Sequence, residues 1–327
     1  MNDFLVSILN GINSVIHNYG WSMVVFTLLI KLLILPLDYK SRKSMRRMTV
    51  LQPQMAKLQK KYANDKEKLN QKTAELYRRE GVNPMSGCLP MLVSMAILFI
   101  MFAAMRTVAN TELARQAIDL LTTGTQTNEG WLWVKNIWMP DSPFYAVVAD
   151  NANLQMIPAD IWAKVFASLD AATVSSLAGF GIDAANISGN TVFAALQTIP
   201  TYMQETQLWA TMPSVNLIIA NLSIYANNNG WFIMPILAAV TQYLMTITQP
   251  QAAPADPSNP AASTGKFMKY FFPLFSLWIC ASQNALFSLY WVVSNVFAWV
   301  QSVVMNKIFE NMEKNQKPEA AGEGSLK

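Results

Sequence analysis

The chain has 327 residues, enough by length for two or three soluble domains. Composition excludes that arrangement: 52% of the residues are hydrophobic and only 13% charged, where a soluble surface needs roughly 25–35% charged residues. The net charge of +4 averages over opposite segments, since Lys40 to Met85 holds 13 of the 24 Lys and Arg, while Asn110 to Gly230 holds three basic residues against nine acidic ones. An ordinary cytosolic enzyme, a disordered protein and a disulfide scaffold are excluded as first readings. Cys88 and Cys280 sit in apolar runs without CxxC spacing, and His17 is the only histidine. A structural zinc site needs four N/S ligands, so no metal is expected and the thiols read as buried and inert.

Residues 1–18 lack the positively charged start of a signal peptide. Phe4, Leu5, Ile8, Leu9, Ile12, Val15 and Ile16 recur at helical spacing. This predicts an amphipathic helix, lying on the outer membrane surface or packed against the protein's own spans. The first span is predicted over 19–38, apolar from Tyr19 to Leu37 except for Lys31.

The segment 39–85 follows as a basic helical hairpin. Met48, Leu51, Met55, Leu58 and Tyr62 make one apolar stripe, and Leu69 and Leu76 a shorter one. Pro53 bends or delays the first helix. Asn64 is the expected N-cap of the second, with Glu67 at the capping-box position. The basic face, with Arg42, Lys43, Arg46, Arg47, Lys57, Lys60 and Lys61, either is merely solvated and orients the protein, or meets anionic headgroups, ribosomal RNA or nascent chain.

A second span is predicted over 86–108 and a third over 231–249, separated by a mildly acidic outer segment, 109–230. Within that segment Leu132 to Pro140 is expected along the membrane surface, and Asp160 to Leu169 as a helical patch. Asn186-Ile-Ser188 and Asn221-Leu-Ser223 match the glycosylation triplet, which is common by chance. No function follows for this segment from its residues. A cytoplasmic loop, 250–269, leads to a run uncharged from Tyr270 to Asn306. It is just long enough for a fourth and a fifth span turning at Gln283-Asn284. The tail, 307–327, is cytoplasmic.

Five spans put the termini on opposite sides. Basic residues favour cytoplasmic loops, which places 39–85 and the tail inside and the N-terminus outside. Tyr19, Trp21, Trp231 and Tyr270 then fall at predicted interfaces, where amphipathic rings prefer to sit.

The polar residues inside the spans are the candidate functional groups. A mid-span lysine costs at least about 2.5–3.5 kcal/mol on insertion-based scales. Lys31 lies about 9 Å from the inner end by helical rise, so it snorkels to the headgroups or faces a wet cavity. No acid lies within the apolar stretches of the predicted spans, Tyr19 to Leu37 in the first, to pair with it, which favours the cavity. Thr27 stands four residues earlier on the same helix face. Ser94 lies in the second span, Thr241 and Gln242 in the third, Ser294 and Asn295 in the fifth. Each alone reads as an interhelical hydrogen-bonding group. Together they suggest a hydrophilic groove of net positive charge.

Several ordered motifs resemble the YidC/Oxa/Alb membrane protein insertases: Asn18-Tyr-Gly-Trp-Ser-Met, Leu35-Pro-Leu37, Lys40-Ser41, Ser44-Met45, Leu51-Gln-Pro53, Lys61-Tyr62, Leu76-Tyr77, Gly81-Val-Asn-Pro84, Gly87-Cys-Leu-Pro90, Met268-Lys-Tyr270 and Leu289-Tyr-Trp-Val-Val-Ser-Asn295. The resemblance covers about 1–140 and 228–310. It implies an all-α polytopic membrane protein with five transmembrane helices around a hydrophilic groove open to cytoplasm and lipid.

The resemblance further implies no bond-breaking activity, no cofactor and no small-molecule substrate. The expected partners are nascent membrane proteins, the lipid bilayer, the ribosome and the Sec translocon, and the expected location is the bacterial plasma membrane. The family's groove cation is usually arginine where this chain has Lys31, which keeps the charge but loses the bidentate fork. Gln242 and Trp291 are similar to its other groove-lining positions. Two features depart from the family: the long outer insert, and Ser282-Gln-Asn-Ala-Leu-Phe287 in place of a small Ser-Gly-Leu-type turn. A secondary transporter with Lys31 as substrate or proton site is the competing reading, though the halves show no obvious repeat. A passive scaffold or chaperone is a third.

Overall fold

The computed structural model describes residues 2–81, 85–211, 215–217, 220–249 and 260–322, with side chains over 4–81, 95–211, 223–249, 267–312 and 314. Cys88 and Ser94 therefore have no described side chain, Asn221 only a backbone, and residues 250–259 of the predicted 250–269 loop lie outside the described residues, while 260–269 are helical. The protein is a helical polytopic membrane protein. Among the described residues three helices are long and apolar enough to cross a membrane, Tyr19–Val50, Met95–Thr123 and Ala285–Met312, and Ile233–Thr248 and Phe267–Ser282 are shorter apolar helices.

In chain order the elements are α1 (Asn2–Ile16), α2 (Tyr19–Val50), α3 (Gln52–Lys61), α4 (Lys66–Arg79), α5 (Met85–Thr123), α6 (Asn151–Gln155), α7 (Ala159–Ala167), α8 (Ala171–Gly179), α9 (Gly189–Leu196), α10 (Pro200–Glu205), β1 (Val215–Leu217), β2 (Ala220–Leu222), α11 (Ile233–Thr248), α12 (Pro260–Ser282) and α13 (Ala285–Gly322). Several outrun the apolar stretches that announce them. At 1.5 Å per residue the 39 residues of α5 extend about 58 Å, well beyond the roughly 30 Å hydrocarbon core. α12 starts ten residues before Tyr270. In α5 the polar extension from Arg106 to Thr123 holds no glycine or proline to stop it, so the helix continues.

Two compact units divide the chain: one comprises Met1–Phe26, Phe99–Ala238 and Ser276–Val292, the other Thr27–Leu98, Ala239–Phe275 and Val293–Lys327.

In the first unit, α1 is tied to the start of α2. Tyr19 Oη donates to Asn10 Oδ1 at 3.1 Å and Ser22 Oγ to Asn13 Oδ1 at 3.1 Å, while Leu9 is buried and Phe4 and Val15 remain exposed. The Asn18-Tyr-Gly-Trp motif acquires a physical meaning here. Asn18 Oδ1 accepts from Trp21 N, as an N-cap does, and its Nδ2 donates to the Gly130 carbonyl. Tyr19 N donates to the Glu129 carboxylate. Gly20 leaves room for the Trp131 indole, which a Cβ would meet at 2.2 Å. Burial pushes the Glu129 carboxyl above its ordinary range, while the hydrogen bond from Tyr19 N pulls it down.

The segment 132–140 is largely an interior strap. Ile137, Trp138 and Met139 are buried, although Leu132 is exposed. The strap's carbonyls cap α13: Ala285 N donates to Met139 O at 2.9 Å and Leu286 N to Ile137 O at 3.0 Å. Asn284 Oδ1 accepts from Phe287 N at 2.9 Å. Three of the four orphan N–H groups of a helix start are thereby satisfied.

The same strap gathers the end of the outer insert. Asn229, fully buried, accepts from Asn136 N and donates Nδ2 to the carbonyls of Asn136, Met139 and Pro140. Asp141, also fully buried, accepts at Oδ1 from Trp231 N at 2.9 Å and at Oδ2 from Met234 N at 2.6 Å and Trp133 Nε1 at 3.0 Å. Its carboxylate sits at the first turn of α11, where the helix dipole favours negative charge. Gly230 is required beside it, since a Cβ would meet Asp141 Oδ1 at 1.9 Å. The insert thus leaves the strap and returns to it at the same place, reinforced by Asn229 N donating to Tyr145 O and Val147 N to Asn227 O.

Between those ends lie α6 to α10, short helices with side-chain caps at Asp150, Asp170 and Ser188. α6 packs on α9. The Asp160–Leu169 patch forms α7 with Ile161, Trp162 and Val165 buried. Tyr202 donates Oη to the Ala149 carbonyl at 3.2 Å, and burial, with Asp150 adding, pushes its phenol well above the ordinary range. The Asn186 amide is engaged by Asp183 N and the Gly181 carbonyl.

Candidate functional site

In the second unit, the sequence-predicted basic residues divide into two groups. The expected hairpin began at residue 39, but α2 runs unbroken to Val50, with the chain turning at Leu51. Arg42, Lys43, Arg46 and Arg47 therefore stand on α2 and not on the hairpin, a correction to the predicted boundary. Lys40 to Val50 contains no breaker. Pro53 lies in the first turn of α3, where its missing N–H costs nothing.

The hairpin proper is α3 and α4. Its second helix is capped by Asp65, which accepts from Lys68 N at 3.0 Å, and not by the expected Asn64. Aspartate adds charge to the cap, and the helix dipole rewards it. Lys57, Lys60 and Lys61 are exposed on α3. A cleft of about 600 Å³ opens between the helices, with Lys57, Lys61, Lys72 and Arg79 around Leu58 and Leu76.

On α2, Lys43 and Arg47 are exposed, whereas Arg42 and Arg46 are half-buried. The latter pair holds helix ends. Arg42 Nη1 donates to Ser302 Oγ at 2.8 Å, and Ser302 Oγ donates to the Thr248 carbonyl at 2.8 Å. Asn306 Nδ2 donates to the same carbonyl at 3.0 Å. Thr248 ends α11, so Arg42 brings positive charge to the negative pole of that helix. Arg46 donates to the Asn306 carbonyl at 3.4 Å and lies over the Phe309 ring, 5.7 Å from its centroid. Sequence periodicity gave no sign of this knot, because serine and asparagine on an apolar helix look alike whether they bind a neighbour or solvent. Arg42→Gln is expected to speed amide exchange in the last turn of α11 by about tenfold, the loss of one charge-assisted bond. Exchange at the wild-type rate would assign the whole cap to Ser302 and Asn306.

The candidate groove residues follow. Thr27 is buried and Lys31 half-buried on α2. Among the described residues no carboxylate lies within 4 Å of Lys31. Asp38 stands two turns further along the same helix, about 10.5 Å by rise, and its Oδ2 accepts from Gln301 Nε2 at 3.4 Å. Thr241 and Gln242 are buried on α11, and Ser294 and Asn295 on α13. Ser294 Oγ and Asn295 Nδ2 are buried with no hydrogen-bond partner among the described residues. Ser94 lies on α5. All of these belong to the second unit.

Trp291 stands about one turn before Ser294 and Asn295 on α13. Its Nε1 donates to Ser276 Oγ at 3.1 Å and its ring lies 5.5 Å from that of Phe287.

A family model described as 60Kd inner membrane protein matches residues 11–180 and 188–314. Among curated relatives, a protein of Fusobacterium nucleatum subsp. nucleatum named Membrane protein insertase YidC is 48% identical over 106 residues, 32% of this chain and 52% of the relative. Proteins of the same name from Chlorobaculum parvum and Anaeromyxobacter dehalogenans are 38% identical over 138 residues and 34% over 145. Those alignments cover 42% and 44% of this chain, and 21% and 24% of the relatives. The chain thus spans about half the length of the first relative and a quarter or less of the other two.

Proposed function

Since this chain belongs to the 60Kd inner membrane protein family, the YidC/Oxa/Alb group, we propose that it inserts newly made membrane proteins from the cytoplasm into the plasma membrane of a bacterium and helps them fold. Five helices cross the membrane in this reading, α2, α5, α11, α12 and α13, with the N-terminus outside and the C-terminus inside. Lys31, Thr27, Ser94, Gln242, Trp291, Ser294 and Asn295 line a hydrated cationic groove open to cytoplasm and lipid.

The observation that carries this reading is the pair of buried groups without a partner among the described residues, Ser294 Oγ and Asn295 Nδ2, in the unit that also holds Lys31. A buried polar group without a partner costs about 1–3 kcal/mol. Water admitted to the site removes that cost and solvates the lysine. A polar substrate tail entering the same water is spared most of the hydrocarbon crossing. The groove draws the tail in through its charge. Release into lipid is driven by burial of the substrate's apolar segment, about 0.3–0.6 kcal/mol for each Leu, Ile or Phe. The chemistry breaks no bond and uses no cofactor.

The test is protease protection of an acidic tail on a small membrane protein presented to the purified protein in liposomes. Protection well above that of empty liposomes is expected. Stoichiometric uptake of a small solute without protection would instead make the protein a transporter.

The basic hairpin receives the substrate or the ribosome in this reading. Changing Lys57, Lys60 and Lys61 to Gln is expected to weaken ribosome association most at low salt and to make it less salt-dependent, because each cation lost means fewer counterions released on binding. Unchanged association and insertion would leave these lysines with orientation alone, and the Sec translocon as the next partner to test.

A further inference from the structure

The outer insert carries a patch that water does not explain. From Thr206 to Gly230 the chain has no charged residue, although this stretch precedes α11 and is not part of a span. Leu208 and Trp209 are exposed, as is Trp231. The rings of Trp209 and Trp231 meet edge to face, with centroids 6.5 Å apart. Trp231 lies two residues before the start of α11, an apolar helix of this membrane protein. The insert therefore sets an exposed Leu-Trp pair beside the tryptophan that stands where α11 begins.

The backbone fixes this edge in place. Trp209 N donates to the Ile224 carbonyl at 2.8 Å and Leu208 bridges Tyr225 in antiparallel fashion. Further along the same two segments β1 pairs with β2, Val215 with Leu222, Asn216 with Asn221 and Leu217 with Ala220. Each strand thus alternates apolar, asparagine, apolar. A hairpin turned wholly to water carries charge at such an edge as protection against aggregation, and this one carries none.

We propose that the Leu208-Trp209 edge of the insert is seated in the interfacial region of the outer leaflet, so that the insert is held down on the bilayer beside α11. Tryptophan prefers that depth, where its ring is solvated by headgroups and its apolar body by acyl chains. Uncharged flanks remove the penalty that a lysine or glutamate there would carry. The partner is a lipid surface. A second protein seated on the same edge is the alternative that the experiment separates.

The experiment uses the full chain in liposomes, with the native cysteines replaced (Cys88→Ser, Cys280→Ala) and a spin label placed through Leu208→Cys or, as the reference, Met156→Cys, an exposed insert position. Collision rates with oxygen, which partitions into lipid, and with a water-soluble nickel chelate are compared. At Leu208 the chelate rate is expected to fall severalfold relative to Met156 while the oxygen rate rises. Equal chelate access at both positions overturns the proposal, and so does shielding from both reagents, which indicates a protein neighbour. A second measurement keeps the native cysteines. Bromine-labelled lipids are expected to quench wild-type tryptophan emission more than that of Trp209→Phe, and identical fractional quenching also overturns the proposal.

Discussion

Replacing Lys31 with alanine is expected to bring protection of an acidic substrate tail down at least tenfold, towards the level of empty liposomes, while Lys31→Arg keeps it. One carboxylate 4 Å from an ammonium gains about 4 kcal/mol at an effective dielectric of about 20. Desolvation of both groups takes back much of that. A net of about 1.4 kcal/mol is already a factor of ten. Arginine preserves the charge on the same helix face, and the absence of a carboxylate within 4 Å among the described residues leaves no fixed partner whose geometry the substitution would disturb. The readout is the initial rate of protection for the three proteins under one lipid composition. Equal rates in all three would make Lys31 a residue that snorkels to the inner headgroups, and would move the working groups elsewhere on α11 and α13. A fall in Arg as well as Ala would mean that the site needs the compact ammonium and not charge alone.

Asp141→Ala is expected to destabilise the first unit by at least about 3 kcal/mol, since it leaves Trp231 N, Met234 N and Trp133 Nε1 without their acceptor at about 1–3 kcal/mol each. For a unit of this size that is a fall of roughly 6 °C or more in the unfolding midpoint. Asp141→Asn keeps an oxygen for one or two of the three donors and is expected to lose less. The midpoint is followed in detergent by circular dichroism, with tryptophan emission reporting the Trp133 environment. An unchanged midpoint in the alanine variant would mean that the start of α11 is held by the Asn136–Asn229 exchange alone.

The membrane-helix character of the chain was legible because hydrocarbon imposes it: a segment without charges over some twenty residues has few other uses. Polar extensions were not legible, since periodic apolar positions mark where a helix is buried and not where it stops. That is why α5 outruns its apolar core to Thr123 and α2 carries Arg42 and Arg46 past the predicted hairpin boundary. At the candidate site, residue type drew attention to Lys31, Gln242, Ser294 and Asn295, because polar groups are costly in a span. Burial then separated the buried Asn295 from the half-buried Trp291, which bonds to Ser276. Asp141 escaped notice for the opposite reason. In an acidic outer segment a single aspartate looks solvated, and only the return of the chain at Trp231 reveals three donors converging on it.

The return of the insert to its point of departure also bears on how such a segment can be gained or exchanged. Both ends are fastened to one strap through Asp141 and Asn229, and Thr201 Oγ1 donates to the Gly124 carbonyl at the end of α5, so the core holds the insert at a few points and not along its whole length. The entropic penalty of closing a flexible loop grows only with the logarithm of its length, about 0.6 kcal/mol for each doubling. Length added in the insert's exposed turns therefore costs little, provided that the strap contacts of Tyr145 and Val147 and the contact of Thr201 with Gly124 are kept. The membrane helices would register whether those fastenings still close, and little of what hangs between them.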